Sequence, residues 1–244
     1  LTSPVLSRSK PVVPASREWP RRCRRCALLG RRYQLAEEWL ELEGGPAFPF
    51  LRPRLADELM ASALKAGAPD LPYWSELWES GVALAGLLWR RRGALAGRRA
   101  VELGCGLGLV SVVAALAGLQ VLATDKEPQA LAFARCNACR VLGRPLPVRL
   151  LDWRLPPPGI GLFDLALGAD VAYEPGQIQP LLEVCTMLVR PGGWFYLAQP
   201  GRRSGWACVR RFEEAGWREE ERLQRVVQLP GSDAETVWLH LLRR

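Results

Sequence analysis

The sequence predicts an α/β fold: a mostly parallel sheet of seven strands with an antiparallel last strand and helices on both faces. Two observations predict it. From residue 99 onward, short apolar runs alternate with helical patterns, the rhythm of βαβ units around a parallel sheet. The first of these runs ends in Gly104-Cys105-Gly106-Leu107-Gly108, a turn that leads directly into an apolar helix, as in Rossmann-like folds. Length agrees: 244 residues, 49% hydrophobic and 24% charged, suffice for one substantial core.

In chain order, Arg99 to Leu103 reads as the first strand, Leu109 to Ala117 as a helix and Gln120 to Thr124 as the second strand. A helix at Pro128 to Leu142 and a strand at Pro147 to Leu151 follow. Pro156 to Gly159 marks a loop, and Phe163 to Gly168 a buried strand. The helix Ile178 to Val189 stops at Pro191-Gly192-Gly193, before a strand at Trp194 to Ala198. A helix at Trp206 to Glu214 precedes strands near Arg225 to Leu229 and Thr236 to Leu241. Their short link through Pro230-Gly231-Ser232-Asp233 is hairpin-like and implies antiparallel pairing at the edge. Upstream, Leu55 to Ala66 and Ser80 to Trp89 look helical. The expected organisation is therefore a basic, disordered extension over 1–35, a helical cover over 36–98 and the core over 99–244.

The net charge of +8 suggests nucleic acid until its distribution is examined. Of 33 basic and 25 acidic residues, nine and one fall in 1–35, so the remaining 24 of each sign cancel. The body of the chain beyond residue 35 is neutral, which disfavours a nucleic-acid partner for it. No apolar stretch approaches the roughly 18 to 20 residues that span a bilayer, so no membrane partner is expected. The leader lacks a secretory apolar core, and seven cysteines, an odd number, point to free thiols in a reducing compartment. The cytoplasm is the expected location, or the mitochondrial matrix if the Arg-rich N terminus is a transit sequence. The CxxC pairs Cys23/Cys26 and Cys136/Cys139 would have to converge from distant segments to bind zinc; packing is the expected role, and no metal is assigned.

Glycine at positions 104, 106 and 108 lets backbone approach a ligand, because glycine has no Cβ and tolerates positive φ. A dinucleotide loop has the form G-x-G-x-x-G; here the third glycine comes one residue early, which argues against dinucleotides. Asp125 ends the next strand 21 residues after Gly104, where a carboxylate can accept both hydroxyls of a ribose diol or cap the following helix. Glu102, inside the first strand, needs a reason for burial, and a cofactor ammonium would supply one. Asp152 could accept the adenine amino hydrogens, with Trp153 lying against the ring. Together these residues select S-adenosyl-L-methionine as cofactor.

These residues resemble the class I methyltransferases, and within them the seven-strand lysine methyltransferases related to the electron transfer flavoprotein β-subunit enzyme. The resemblance covers about residues 70–244. It rests on Pro72-Tyr73-Trp74-Ser75-Glu76-Leu77-Trp78-Glu79-Ser80-Gly81, on Val101 to Gly108, on Gly168-Ala169-Asp170-Val171-Ala172-Tyr173 and on Gln199-Pro200-Gly201-Arg202. It implies a protein lysine acceptor, with Trp78 and Asp170 beside the cofactor and Trp74 near the acceptor. Asp170 is expected to orient the amine, with Tyr173 second; Glu76, Glu79 and Glu174 would gather at the mouth. The alternatives are a small-molecule or other acceptor, and a catalytically silent cofactor-binding module. No Asn-Pro-Pro-Tyr motif supports base methylation. His240, the single histidine, is expected to be a packed edge residue. A monomer is the favoured assembly.

Overall fold

The computed structural model describes residues 24–68, 70–157, 159–229 and 231–244. Cys23, the N-terminal prolines, Pro158 and Pro230 lie outside the described residues. The described chain opens with α1 (Arg24–Arg32), β1 (Leu35–Glu41), β2 (Ala47–Pro53), α2 (Ala56–Lys65), α3 (Glu79–Arg90) and the short α4 (Arg92–Leu95). The core continues through β3 (Arg99–Leu103), α5 (Leu109–Leu116), β4 (Gln120–Asp125), α6 (Pro128–Leu142), β5 (Val148–Leu150) and β6 (Phe163–Ala169). It closes with α7 (Ile178–Leu188), β7 (Val189–Gln199), α8 (Arg203–Glu214), β8 (Arg218–Val227) and β9 (Glu235–Arg243).

Seven strands form one sheet in the order β5-β4-β3-β6-β7-β9-β8. The pairs from β5 to β7 are parallel, and β9 runs antiparallel to both of its neighbours. The last strand is thus not the edge; it slots between β7 and β8. Burial explains the legibility of β3, where Ala100 to Leu103 is covered on both faces. Such a strand must be apolar, and Glu102 is the exception. β8 begins seven residues before its expected start near Arg225. Its sequence, Arg-Glu-Glu-Glu-Arg-Leu-Gln-Arg-Val-Val, is charged because an edge strand leaves side chains in water.

Helices α3, α5 and α6 cover one face of the sheet and α7 and α8 the other. No helix among the described residues is long and apolar enough to cross a membrane.

The N-terminal third departs from expectation. Where a helical cover was expected, β1 and β2 form an antiparallel hairpin. Its pattern is strand-like because β2 buries Phe48 and Phe50 completely. Asn137 on α6 holds the hairpin as a strand neighbour would: Leu51 N–H donates to its Oδ1 at 2.8 Å, and its Nδ2 donates to the Leu51 carbonyl at 3.0 Å. The same Nδ2 donates to the Leu107 carbonyl at 3.0 Å, tying the hairpin to the glycine turn. Part of the stretch expected to be a tail is the helix α1, whose Cys26 forms a disulfide with Cys136 of α6, Cα to Cα 5.5 Å. The expectation of free thiols fails for this pair, because folding brings together cysteines 110 residues apart.

Candidate functional site

A cavity of about 210 Å³ opens at the carboxyl ends of β3, β4 and β6, the usual ligand position in a parallel α/β sheet. Its lining includes Tyr73, Trp74, Glu76, Trp78, Glu102, Gly104, Gly106, Asp125, Asp152, Trp153, Asp170 and Tyr173, so eleven positions expected from the sequence, together with Tyr73, converge.

The glycines divide by task. At Gly104, φ is +71°, and a Cβ would stand 3.1 Å from Val171 and 3.6 Å from Trp153. Gly106 faces the Trp74 carbonyl, 3.4 Å from where its Cβ would be. Gly108 does not line the cavity. It starts α5 at φ +87°, and its Cβ would collide with Ala134 of α6, 2.6 Å away. The expected ligand contact at Gly108 is instead a contact between helices.

Asp125 is buried and fully engaged at first sight. Its Oδ2 accepts from Gly106 N–H and its Oδ1 from Glu127 N–H, each at 2.9 Å. The cap and the ligand role coexist, because each oxygen retains a lone pair and the side chain lines the cavity. Burial pushes its carboxyl up to about 6, against the two backbone donors. Glu102, deeper still, accepts from the Ser111 hydroxyl, and burial raises it to about 8. A carboxyl so costly to ionise has a ready partner in a cationic ligand group. The donor and acceptor set therefore fits S-adenosyl-L-methionine: acids for an ammonium and a diol, and a glycine cradle that a Cβ would crowd.

Asp152 is exposed at the cavity wall, with Oδ1 accepting from Arg154 N–H at 2.9 Å. Trp153 lies half-buried beside Gly104. Trp74 packs its ring on Tyr33 and Phe133, so its contribution to the glycine turn comes from its backbone. Trp78 donates its indole N–H to the Tyr73 carbonyl at 3.0 Å. Tyr73 stands between Trp78 and Tyr173, with centroids 6.2 and 5.2 Å away, making an aromatic wall.

Asp170 follows β6 and is the one non-glycine residue among those described with positive φ, +53°. Its N–H donates to the Ala198 carbonyl at 2.9 Å, which holds the strained turn against β7. Its Oδ1 accepts from Arg202 at 2.6 Å. Burial raises its carboxyl, Arg202 opposes that rise, and Glu79 adds to it. Burial also raises Tyr173 and Glu76. Glu174 is exposed and lies outside the cavity lining, because the chain turns at Pro175–Gln177 and carries it to solvent. Glu79 is also absent from the lining and accepts from Ser232 at 3.3 Å.

Sequence reasoning missed Gln177, whose Oε1 is buried without a hydrogen-bond partner among the described residues, and Lys126, which pairs with Asp70. Both line the cavity. Lys126 follows Asp125 directly and could have been found by adjacency; Gln177 had no signal. His240 is fully buried, as expected, but inside the sheet. Its Nδ1 meets Glu219 and its Nε2 lies 3.0 Å from Gln199 Nε2.

A doubly wound sheet with this cradle at the ends of its parallel strands defines an S-adenosylmethionine-dependent methyltransferase of class I. More narrowly, the chain belongs to the lysine methyltransferase family, whose pattern matches residues 74–206. It is 30% identical to the histone-arginine methyltransferase METTL23 of Xenopus laevis over 187 residues, 71% of this chain and 77% of that protein. It is 39% identical to the protein N-lysine methyltransferase METTL21A of Danio rerio over 113 residues, 44% of this chain and 51% of that one. The chain thus spans about half the length of METTL21A. Among solved structures, the N-methyltransferase NodS of Bradyrhizobium japonicum with bound S-adenosyl-L-homocysteine shares the fold. Its TM-score is 0.56 at 19% identity, over 76% of this chain and 98% of that one.

Proposed function

We propose that this methyltransferase modifies a lysine side chain of a protein. The observation that supports this best is Asp170: a carboxylate held at a strained turn, lining the cavity beside Tyr173 and the Tyr73–Trp78 pair. When bound, S-adenosylmethionine would supply an electrophilic methyl group for an acceptor nitrogen. The chain's residues then have three tasks. Glu102 and Asp125 would hold the cofactor's ammonium and ribose, and Asp152 and Trp153 its adenine. Asp170 accepts an N–H of the acceptor amine and steadies the charge that develops there. Tyr173, Tyr73 and Trp78 form a wall that excludes water and favours a cation. METTL21A, a protein N-lysine methyltransferase, supports the lysine reading; METTL23, a histone-arginine enzyme, supports an arginine acceptor as the second reading.

The test is transfer of labelled methyl groups into a cell lysate, followed by separate protease and ribonuclease digestion and amino-acid analysis. Methyl-lysine in the protease-sensitive fraction is expected. Methylarginine would replace the first reading by the second, and label confined to small molecules would overturn both. Firm cofactor binding without any label would favour a silent module.

A further inference from the structure

Asp170 and Arg202 come from the ends of adjacent strands, β6 and β7, and meet at 2.6 Å through Oδ1 of the carboxylate. Arg202 is its hydrogen-bond partner among the described residues and does not itself line the cavity. The guanidinium approaches from outside, and the carboxylate faces inward.

The turn that carries Arg202 is held by unusual means. Gly201 N–H donates to Gln199 Oε1 at 2.6 Å, which leaves Gln199 Nε2 to donate to His240 Nε2 at 3.0 Å. His240 therefore carries its proton on Nδ1 and donates it to Glu219, which Arg222 also binds. Gln199 and His240 are 2% and 0% exposed. Buried polar side chains are costly unless every group is matched, so this chain of bonds makes the position of Gly201 hard to change. Arg202, next in sequence, inherits that fixed position.

We infer that Arg202 is a positioning and specificity residue: its bulky, cationic guanidinium on Oδ1 of Asp170 leaves Oδ2 as the oxygen open to the acceptor, which selects an amine over a second guanidinium. The inference rests on the acceptor reading above. An amine that attacks with its lone pair needs only one N–H held to be aimed. A guanidinium is a planar fork that binds a carboxylate best through both oxygens, and here the Arg202 guanidinium stands on one of them, where its bulk and charge oppose a second. The site thus contains its own arginine, and a second would have to displace it.

Arg202 also sets the ionisation of Asp170. The charged groups acting on that carboxyl are Arg202 from the β7–α8 turn and Glu79 from the start of α3, while Asp170 in turn raises Glu235 of β9. Only Arg202 favours the carboxylate form. Without it, burial and Glu79 act alone, and Asp170 holds its proton to higher pH.

The experiment compares wild type, R202Q and R202K on paired peptide pools with identical flanks and either Lys or Arg at the centre. Methyl incorporation is followed by mass spectrometry across pH. Wild type is expected to label the Lys pool. R202Q should shift the Arg-to-Lys labelling ratio upward by about tenfold, the effect of freeing one charge-assisted hydrogen bond, and move the acidic limb of kcat/KM to higher pH. R202K, retaining the cation, should restore the limb; a merely structural role for Arg202 would not move it. Cofactor affinity and melting temperature verify that each variant is folded. An unchanged ratio in R202Q overturns the inference and leaves the lysine reading standing. Wild-type labelling of the Arg pool in preference to Lys overturns the lysine reading and this inference with it.

Discussion

The floor of the cavity and its rim are built from different materials. On the floor, Asp125 is clamped by Gly106 and Glu127 N–H groups, Glu102 by Ser111, and Gly104 and Gly106 shape the backbone itself. At the rim, Asp170 meets a half-exposed arginine, and Tyr73 meets both Tyr173 and Trp78 edge to face. Backbone hydrogen bonds and buried carboxyls cannot be moved cheaply, so the floor suits one ligand. Ion pairs near water contribute little to stability, so residues at the rim can be exchanged without disturbing the cofactor. Relatives named for lysine and for arginine acceptors fit that division.

Four substitutions test the contrast, from large to small. Asp170→Asn should lower kcat/KM roughly 10²- to 10³-fold, the range for a lost group that stabilises charge in the transition state, while calorimetry finds cofactor affinity nearly unchanged. A matching loss of affinity would merge rim and floor into one unit. Asp125→Ala should do the reverse, weakening cofactor binding roughly ten- to hundredfold through lost charge-assisted hydrogen bonds. Undiminished affinity would remove Asp125 from the site.

Gly108→Ala sharpens the comparison on the floor side. Its added Cβ would meet Ala134 and sit at φ +87°, for a cost of about 2–4 kcal/mol seen as a lower melting temperature. A variant as stable as wild type would show that α5 and α6 can separate freely. The smallest effect belongs to Glu174→Ala: stability should change by less than ~0.5 kcal/mol and transfer should persist, because the side chain is outside the cavity. A large loss of transfer there would extend the rim beyond Tyr173.

The floor also predicts a pH signature. Unfolded, Glu102 releases its proton near pH 4.5; folded, it holds it to about 8. Between these values the folded state binds more protons, so stability falls as pH rises through that window. Asp125 adds to the fall between its ordinary 3.8 and about 6. Thermal melts of the cofactor-free protein should therefore decline from pH 6 to 8, and Glu102→Gln should flatten that upper part. An equal decline in the variant would assign the effect elsewhere.

What was legible follows from burial and periodicity. Helix Pro128–Leu142 and strand Arg99–Leu103 match their expected limits because each has a sharp start and an apolar face in a fixed environment. The hairpin of β1 and β2 was not legible, since it is docked by a contact of Leu51 with Asn137 of α6, 86 residues away, that leaves no local pattern. β8 was half legible, because its charged edge resembles a solvated loop until β9 pairs with it. In the site, Glu102 and Asp125 could be found as acids within and at the end of apolar strands, and Asp170 from the family resemblance. Gln177 could not, for nothing in its neighbourhood marks it.

Sequence alone determined the parallel sheet, the glycine cradle and the identity of the cofactor, since these depend on local backbone geometry and on spacings within one βαβ unit. Tertiary structure decided that Gly108 serves packing, that Cys26 reaches Cys136, that Glu174 turns outward and that Arg202 caps Asp170. Each of those depends on where separate segments meet, and a meeting across 26 or 110 residues leaves no period or spacing in the chain from which it could be read.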